Sequence, residues 1–291
     1  MPRAVEPLLP SETLDPVEVR RGEVWILSWD GKYQGLVCIA SVKSDYVLAW
    51  PVTLPDKPAY PPALHIAETP LGLAMNVWPT MEIGMGMHLL DRPLGSILAP
   101  EQIRSTTHAI DDGEQPPLPY ADAEVSEAVR AQLDHERLDH WTRLCFHTLD
   151  RPSEKFLSPA ALKAHGLQSR DVPAALSLSP AEMRLIVDAR RSVTDNQLAL
   201  IAQLVKAEPA DFVEPDRLAP VISMMSHPRH KASIVEAVQA RSVEESRIRA
   251  LACAQLPLVA RDDRGLFTPE VGAGRVLRRS GACVAGSSLG F

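Results

Sequence analysis

One predicted helix, Ser179 to Arg191, carries the residues best suited to chemistry. Its apolar stripe is Met183, Ile186 and Val187, at i, i+3 and i+4. Arg184, Arg190 and Arg191 lie off that stripe. Arg184 has the planar fork for a bidentate contact to guanine, and Glu182 can accept from the amine of cytosine. Arg190 and Arg191, at the far end, suit phosphate oxygens. Ser179 and Ala181 stand at the exposed start. Ser179, Ala181, Glu182, Arg184, Arg190 and Arg191 are therefore the candidate DNA contacts.

The flanking sequence supplies what would position them. Ser179 can cap the helix, Pro180 fits its first position, and Glu182 stands at its third. Asp171 to Leu176 reads as a short preceding helix and Ser177-Leu178-Ser179 as the turn. After Ser192-Val193-Thr194, a longer amphipathic helix has Leu198, Ile201, Ala202 and Val205 on one face. This is the pattern of a helix-turn-helix, in which one helix stays outside to enter a groove.

At these residues the chain resembles the Cro/lambda-repressor-like family. The resemblance runs from Leu176-Ser177-Leu178-Ser179-Pro180 through Ile186-Val187-Asp188-Ala189-Arg190-Arg191 to Leu200-Ile201-Ala202-Gln203-Leu204 and Asp211-Phe212-Val213. With an upstream helix at Pro159 to Gly166 it covers roughly 152–213. Members of the family usually have glycine where this chain has Ser177 and Ala189. The resemblance implies a DNA-binding module.

The front of the chain reads as strands. Glu23 to Trp29, Gly35 to Ser41 and Tyr46 to Val52 are rich in β-favouring residues, with Asp30-Gly31 as a turn. Leu64–Ile66 and Ser96–Leu98 are expected to add strands, and Pro100 to Ile103 a short helical turn. Met75, Met81, Met85 and Met87 are expected to fill gaps under a long loop between 75 and 94. Arg21-Gly22-Glu23-Val24-Trp25, Trp50-Pro51-Val52-Thr53 and Glu101-Gln102-Ile103-Arg104 resemble the MazF/PemK family of small-barrel, RNA-cleaving toxins over residues 20–107. The resemblance implies a catalytic arginine and threonine. Thr53 matches the threonine, but Gln34 stands at the arginine position. Glutamine supplies neither a cation for phosphate nor a base for the 2′-hydroxyl. The expectation is a barrel that does not cut RNA and serves as a module for a protein or small-molecule effector.

The fold class expected is α+β and multidomain: an N-terminal SH3-like small β-barrel, then an all-α helix-turn-helix domain and C-terminal helices. The boundaries are an arm at 1–19, the barrel at 20–115, a linker helix at 116–151, the helix-turn-helix domain at 152–215, a helical region at 216–262 and a flexible tail at 263–291. The linker pattern runs from Ala121 to Thr148, after a proline-rich connector at Asp111 to Tyr120. Pro215–Met225 and Ser233–Ala254 read as two further helices. Ile234, Val238, Ile248, Leu251 and Leu256 would form a small bundle or a dimer seam, with Lys231, Arg241, Arg247 and Arg249 facing out.

Charge divides along the same line. Residues 1–150 hold 11 Lys+Arg against 22 Asp+Glu, a net −11, and residues 151–291 hold 19 against 15, a net +4. Nucleic acid would be repelled by the front and mildly attracted by the back. Four separated cysteines without a CxxC pair point away from a disulfide framework or zinc site and toward a reducing, cytoplasmic setting. His135 and His140 are five apart, a spacing that splays them around a helix. The glycine-rich segment 272–286, with Arg275, Arg278 and Arg279, reads as part of the tail. No run of eighteen apolar residues is present, and no cofactor or metal is called for. The expected partners are double-stranded DNA and a second copy of the chain, because one such module reads too few base pairs to be selective. Two other readings are a MazF-like ribonuclease fused to a helix-turn-helix and a protein-interaction scaffold.

Overall fold

The computed structural model describes residues 2–6, 18–147, 149, 154–168, 172–216 and 218–262. The expected tail at 263–291, the side chain of Leu256 and most of the arm lie outside them. The chain is α+β and divides into two compact units, one within 1–149 and 225–252, the other within 150–224 and 253–262. The region expected as one C-terminal domain, 216–262, is thus shared, and 225–252 belongs with the sheet.

The first unit is built on an antiparallel sheet of seven strands. These are β1 (Glu23–Trp29), β2 (Lys32–Val42), β3 (Tyr46–Thr53), β4 (Leu64–Ile66), β5 (Met75–Val77), β6 (Ile83–Gly86) and β7 (Leu90–Ser96). The order is β4-β5-β3-β2-β1-β7, with β6 also paired to β3. The strands read as near-continuous apolar runs because both faces are covered. Val24, Ile26, Leu36, Cys38, Trp50 and Val52 enter one core cluster. Their neighbours Trp25, Leu27, Val37, Ile39, Val47 and Ala49 enter another. Asp30 and Gly31 close the β1–β2 hairpin with φ of 52° and 68°, the left-handed pair that a twisted two-residue hairpin requires. Leu27 pairs with Gly35 and Ser28 with Tyr33, so Gln34 is the extra residue of a β-bulge. Val5, placed by the sequence in an arm, is fully buried in the first cluster.

Several expectations here need correction. Residues 75–94 form β5, β6 and the start of β7 rather than a loop. These strands are short and carry Gly84 and Gly86, so they show little periodicity. Of the methionines here, Met75, Met85 and Met87 are buried core residues and Met81 is partly buried. The strand expected at Ser96–Leu98 runs instead over Leu90–Ser96, with Pro93 tolerated because β7 pairs on one side only. The short turn at Pro100 is a full helix, α1 (Pro100–Asp111), started by Pro100 and by the Gln102 side chain accepting from Ala99 N at 2.8 Å. The linker helix α2 is Glu127–Cys145, shorter than the pattern, because Ser126 accepts from Val129 N and sets its start.

The second unit packs α3 (Pro159–Ala164), α4 (Val172–Leu176), α5 (Pro180–Val187) and α6 (Asp195–Val205) around one core. Leu162, Val172, Leu176, Met183, Ile186, Leu198, Ile201 and Phe212 are among its buried members. A ladder of β8 (Phe156–Leu157) and β9 (Val213–Glu214) ties its ends together, a pairing too short to show in the sequence. Ser158, Ser179 and Thr194 cap α3, α5 and α6 through their hydroxyl oxygens.

The ends of α4, α5 and α6 share one device. Leu178 N bonds Pro173 O, Arg190 N bonds Leu185 O, and Ala207 N bonds Ala202 O, at 3.0, 2.8 and 3.0 Å. Each is the long closing bond of a Schellman motif, which puts the residue before the donor in the left-handed region. Those residues are Ser177, Ala189 and Lys206, with φ of 53°, 54° and 52°. Glycine is the usual occupant, so each side chain carries strain.

After α7 (Ala219–Ser226), the sequence pattern over Ser233–Ala254 suggested one helix. Two are present, α8 (Lys231–Arg241) and α9 (Glu245–Asp262), broken at Ser242 with φ 50°. Lys231 and Arg249, expected to face out, are 0% and 2% exposed. Lys231 Nζ donates to Ser28 O, His88 O and Glu245 at 2.7, 2.9 and 2.8 Å. Arg249 donates to Glu245 at 2.6 Å, to His88 O and to Met225 O. Glu245 N donates to the Asp30 carboxylate at 2.6 Å, and Asp30 N donates back to Glu245 at 3.2 Å. Buried charges persist when every donor and acceptor is met. Here the amphipathic reading fails because the partners include the carbonyls of Ser28 and His88, 203 and 143 residues before Lys231. Ile234, Val238 and Ile248 are buried by the same folding and form no open seam.

Candidate nucleic-acid interface

The second unit brings the predicted DNA contacts onto one short helix. With Met183 and Ile186 turned into the core, α5 leaves Ala181, Arg184, Leu185 and Asp188 facing outward. Their spacing of i, i+3, i+4 and i+7 is one helical face. The Arg184 side chain is 79% exposed, and its Nε lies 3.8 Å from Asp188, beyond hydrogen-bond reach. Arg190 and Arg191 follow the turn at Ala189.

Glu182 is occupied differently from the expectation. Its carboxylate accepts from Ser179 N at 2.9 Å and from the Ser179 hydroxyl at 2.8 Å. In return Ser179 Oγ accepts from Glu182 N at 3.2 Å, completing a capping box. The Ser179 backbone N–H and hydroxyl, with Arg191 adding, hold the Glu182 carboxyl below the usual range. Arg191 reaches the other Glu182 oxygen at 3.4 Å. Ser179, Glu182 and Arg191 therefore hold the helix start in place, while Ala181 and Arg184 face outward. Leu185 was missed in the sequence because leucine on a helix reads as core. Its position, one residue off the Met183–Ile186 stripe, was the available signal.

In the first unit Leu36 pairs with Val52, so the two predicted residues, Gln34 and Thr53, lie toward the same end of the β2–β3 ladder, each engaged with other partners. Thr53 ends β3 opposite Asn76, and its Oγ1 accepts from Trp78 Nε1 at 3.2 Å. Gln34 sits in the bulge, and its carbonyl accepts from His140 Nε2 of α2 at 2.7 Å. One residue on, Trp141 covers Gly35, where an added Cβ would meet the indole at 2.9 Å. Arg137 of α2 lies 3.5 Å from the Trp78 ring centroid and pairs with Asp134 at 2.9 Å. Asp134 also accepts from the Tyr60 hydroxyl at 2.8 Å. The guanidinium nearest the Thr53–Trp78 pair is thus stacked and neutralised. His135 and His140 are separated as their spacing implied, His135 being exposed and His140 turned to Gln34.

Beside α2 lies a groove of about 480 Å³ between the helix and the start of β6. Met81, Ile83, Leu138, Trp141 and Phe146 line it, and Leu138 and Phe146 are 59% and 78% exposed. Among the described residues, no helix is long and apolar enough to cross a membrane. No protein-family model matches this chain, and no curated protein matches it.

Proposed function

We propose that the chain is a sequence-specific DNA-binding regulator. In this reading 152–215 is a helix-turn-helix domain of the Cro/lambda-repressor type, with α5 as its recognition helix. The observation that carries it is the outward face of α5, where Ala181, Arg184 and Leu185 stand clear of a core that holds the helix from behind. The strained residues Ser177 and Ala189 support it, because they occupy the two positions where that family has glycine. The sheet of the first unit is read as an SH3-like barrel of MazF/PemK type that has become a sensing or interaction module. The seating of α2 on Gln34 and Gly35 supports this, and the apolar groove is its candidate effector or protein site.

The regulator works as a homodimer on a palindromic site, two recognition helices entering successive major grooves about 34 Å apart. The test is selection of duplexes from a random-core pool at low salt, followed by light scattering with and without the selected site. Arg184→Ala weakens binding by about 1–3 kcal/mol at one base position. Arg190→Ala weakens all sequences alike and lowers the salt slope by about one. Failure to retain any duplex refutes the reading, and a 31.8 kDa particle in both conditions refutes the dimer. Single-stranded RNA stays intact with the wild type. Cleavage that Thr53→Ala abolishes would favour a ribonuclease instead.

A further inference from the structure

Leu185 is a large apolar side chain, 40% exposed, at the centre of the outward face of α5. It neighbours Arg184, the most exposed cation of that face, and lies one turn beyond Ala181. The backbone that carries it is pinned, because Arg190 N and Arg191 N both bond to the Leu185 carbonyl, at 2.8 and 3.1 Å. Ala181, with one methyl, lets the helix approach a surface closely along the same line.

The major groove offers such a leucine one apolar partner. Its base edges carry donors and acceptors everywhere except at the C5-methyl group of thymine. Glu182, which would demand a cytosine amine, is turned back to Ser179 and Arg191. Charge favours the same occupant, since Arg184 on the face and Arg190 just beyond it can meet guanine and phosphate oxygens, Arg191 being held by Glu182. We infer that Leu185 reads the methyl group of a thymine next to the base contacted by Arg184. The inference rests on the DNA-binding reading above and names the base chemistry that reading leaves open.

The experiment uses the full chain and the duplex it selects from a random-core pool. Each thymine in turn is replaced by deoxyuridine, which removes the methyl and leaves every hydrogen-bonding group in place. One position in each half-site loses about fourfold in affinity, the worth of burying one methyl-sized group. Leu185→Ala binds the thymine and uracil duplexes equally, and circular dichroism shows its helices intact. Leu185→Met, still apolar and long, keeps the preference. A selected duplex that tolerates uracil everywhere overturns the inference and leaves DNA binding standing. A preference that survives in Leu185→Ala also overturns it. Retention of no duplex overturns both, and the face is then one for a protein partner.

Discussion

Glu245 and Glu182 each stand in the first turn of a helix and each meets an arginine, yet they do opposite work. Glu245 is sealed in, with side-chain exposures of 0% for itself, 1% for Lys231 and 3% for Arg249. Glu182 and Arg191 are 44% and 46% exposed. Water can be traded for either member of the exposed pair, so breaking it costs little. No such trade is open to the buried set, whose charges are worth their desolvation only while each partner stays. Burial, not residue type, separates an ion pair the fold depends on from one it can lose.

The contrast breaks most visibly at Glu245. Glu245→Ala leaves Lys231 and Arg249 buried without the carboxylate they both contact and costs about 3–5 kcal/mol, read as a fall in the urea midpoint. A loss below 1 kcal/mol would mean that the buried set is no more consequential than a surface pair.

Acid tests the same region. Burial, then Arg249 and Lys231, push His88 down to about 3, so the folded unit keeps it neutral. The unfolded chain protonates it near 6.5, binding more protons than the folded form between those values. Stability is therefore full above about 6.5 and is lost as the pH falls toward 3. Between pH 7 and 5 the loss is on the order of 2 kcal/mol for His88 alone, and His230, pushed down to about 4 by burial, acts in the same direction. Denaturation followed by tryptophan fluorescence at the two pH values measures it. Equal midpoints would remove His88 from the account.

In the second unit the sensitive points are backbone rather than charge. Ser177→Gly relieves a left-handed serine on the surface and stabilises by about 1 kcal/mol. Ala189→Gly gains less, because its methyl is buried, 1% exposed, and is lost in the exchange. A thermal shift series of the two variants gives the order. Smallest of all is Arg191→Ala, expected within about 0.5 kcal/mol in the absence of DNA.

Legibility in the sequence followed the range of the interactions. The strands β1 to β3 were readable because long apolar runs and Asp30-Gly31 are local signals. So were the starts of α5 and α6, where Ser179 and Thr194 cap within three residues. The short strands β5 and β6 carry too few residues for a period to show. The break at Ser242 has neither glycine nor proline to mark it. Lys231 and Arg249 read as solvent-facing because their burial depends on carbonyls of Ser28 and His88, far off in the chain. At the candidate site, Arg184 could be placed from the helical period. The diversion of Glu182 into the cap was foreshadowed by its third position. The covering of Gln34 by α2 had no local sign, since it arises from packing between distant segments.

The Asp30–Glu245 exchange also sets a timetable. The two residues are 215 apart in the chain. At roughly 5–20 residues per second a ribosome needs about 10–40 s to travel from one to the other. Through that interval the nascent hairpin holds the Asp30 carboxylate and the Ser28 carbonyl, whose partners have not yet been made. Residues 150–224 emerge meanwhile. The earlier part of the protein thus finishes folding later than the part that follows it, and that delay is when chaperones have most to protect.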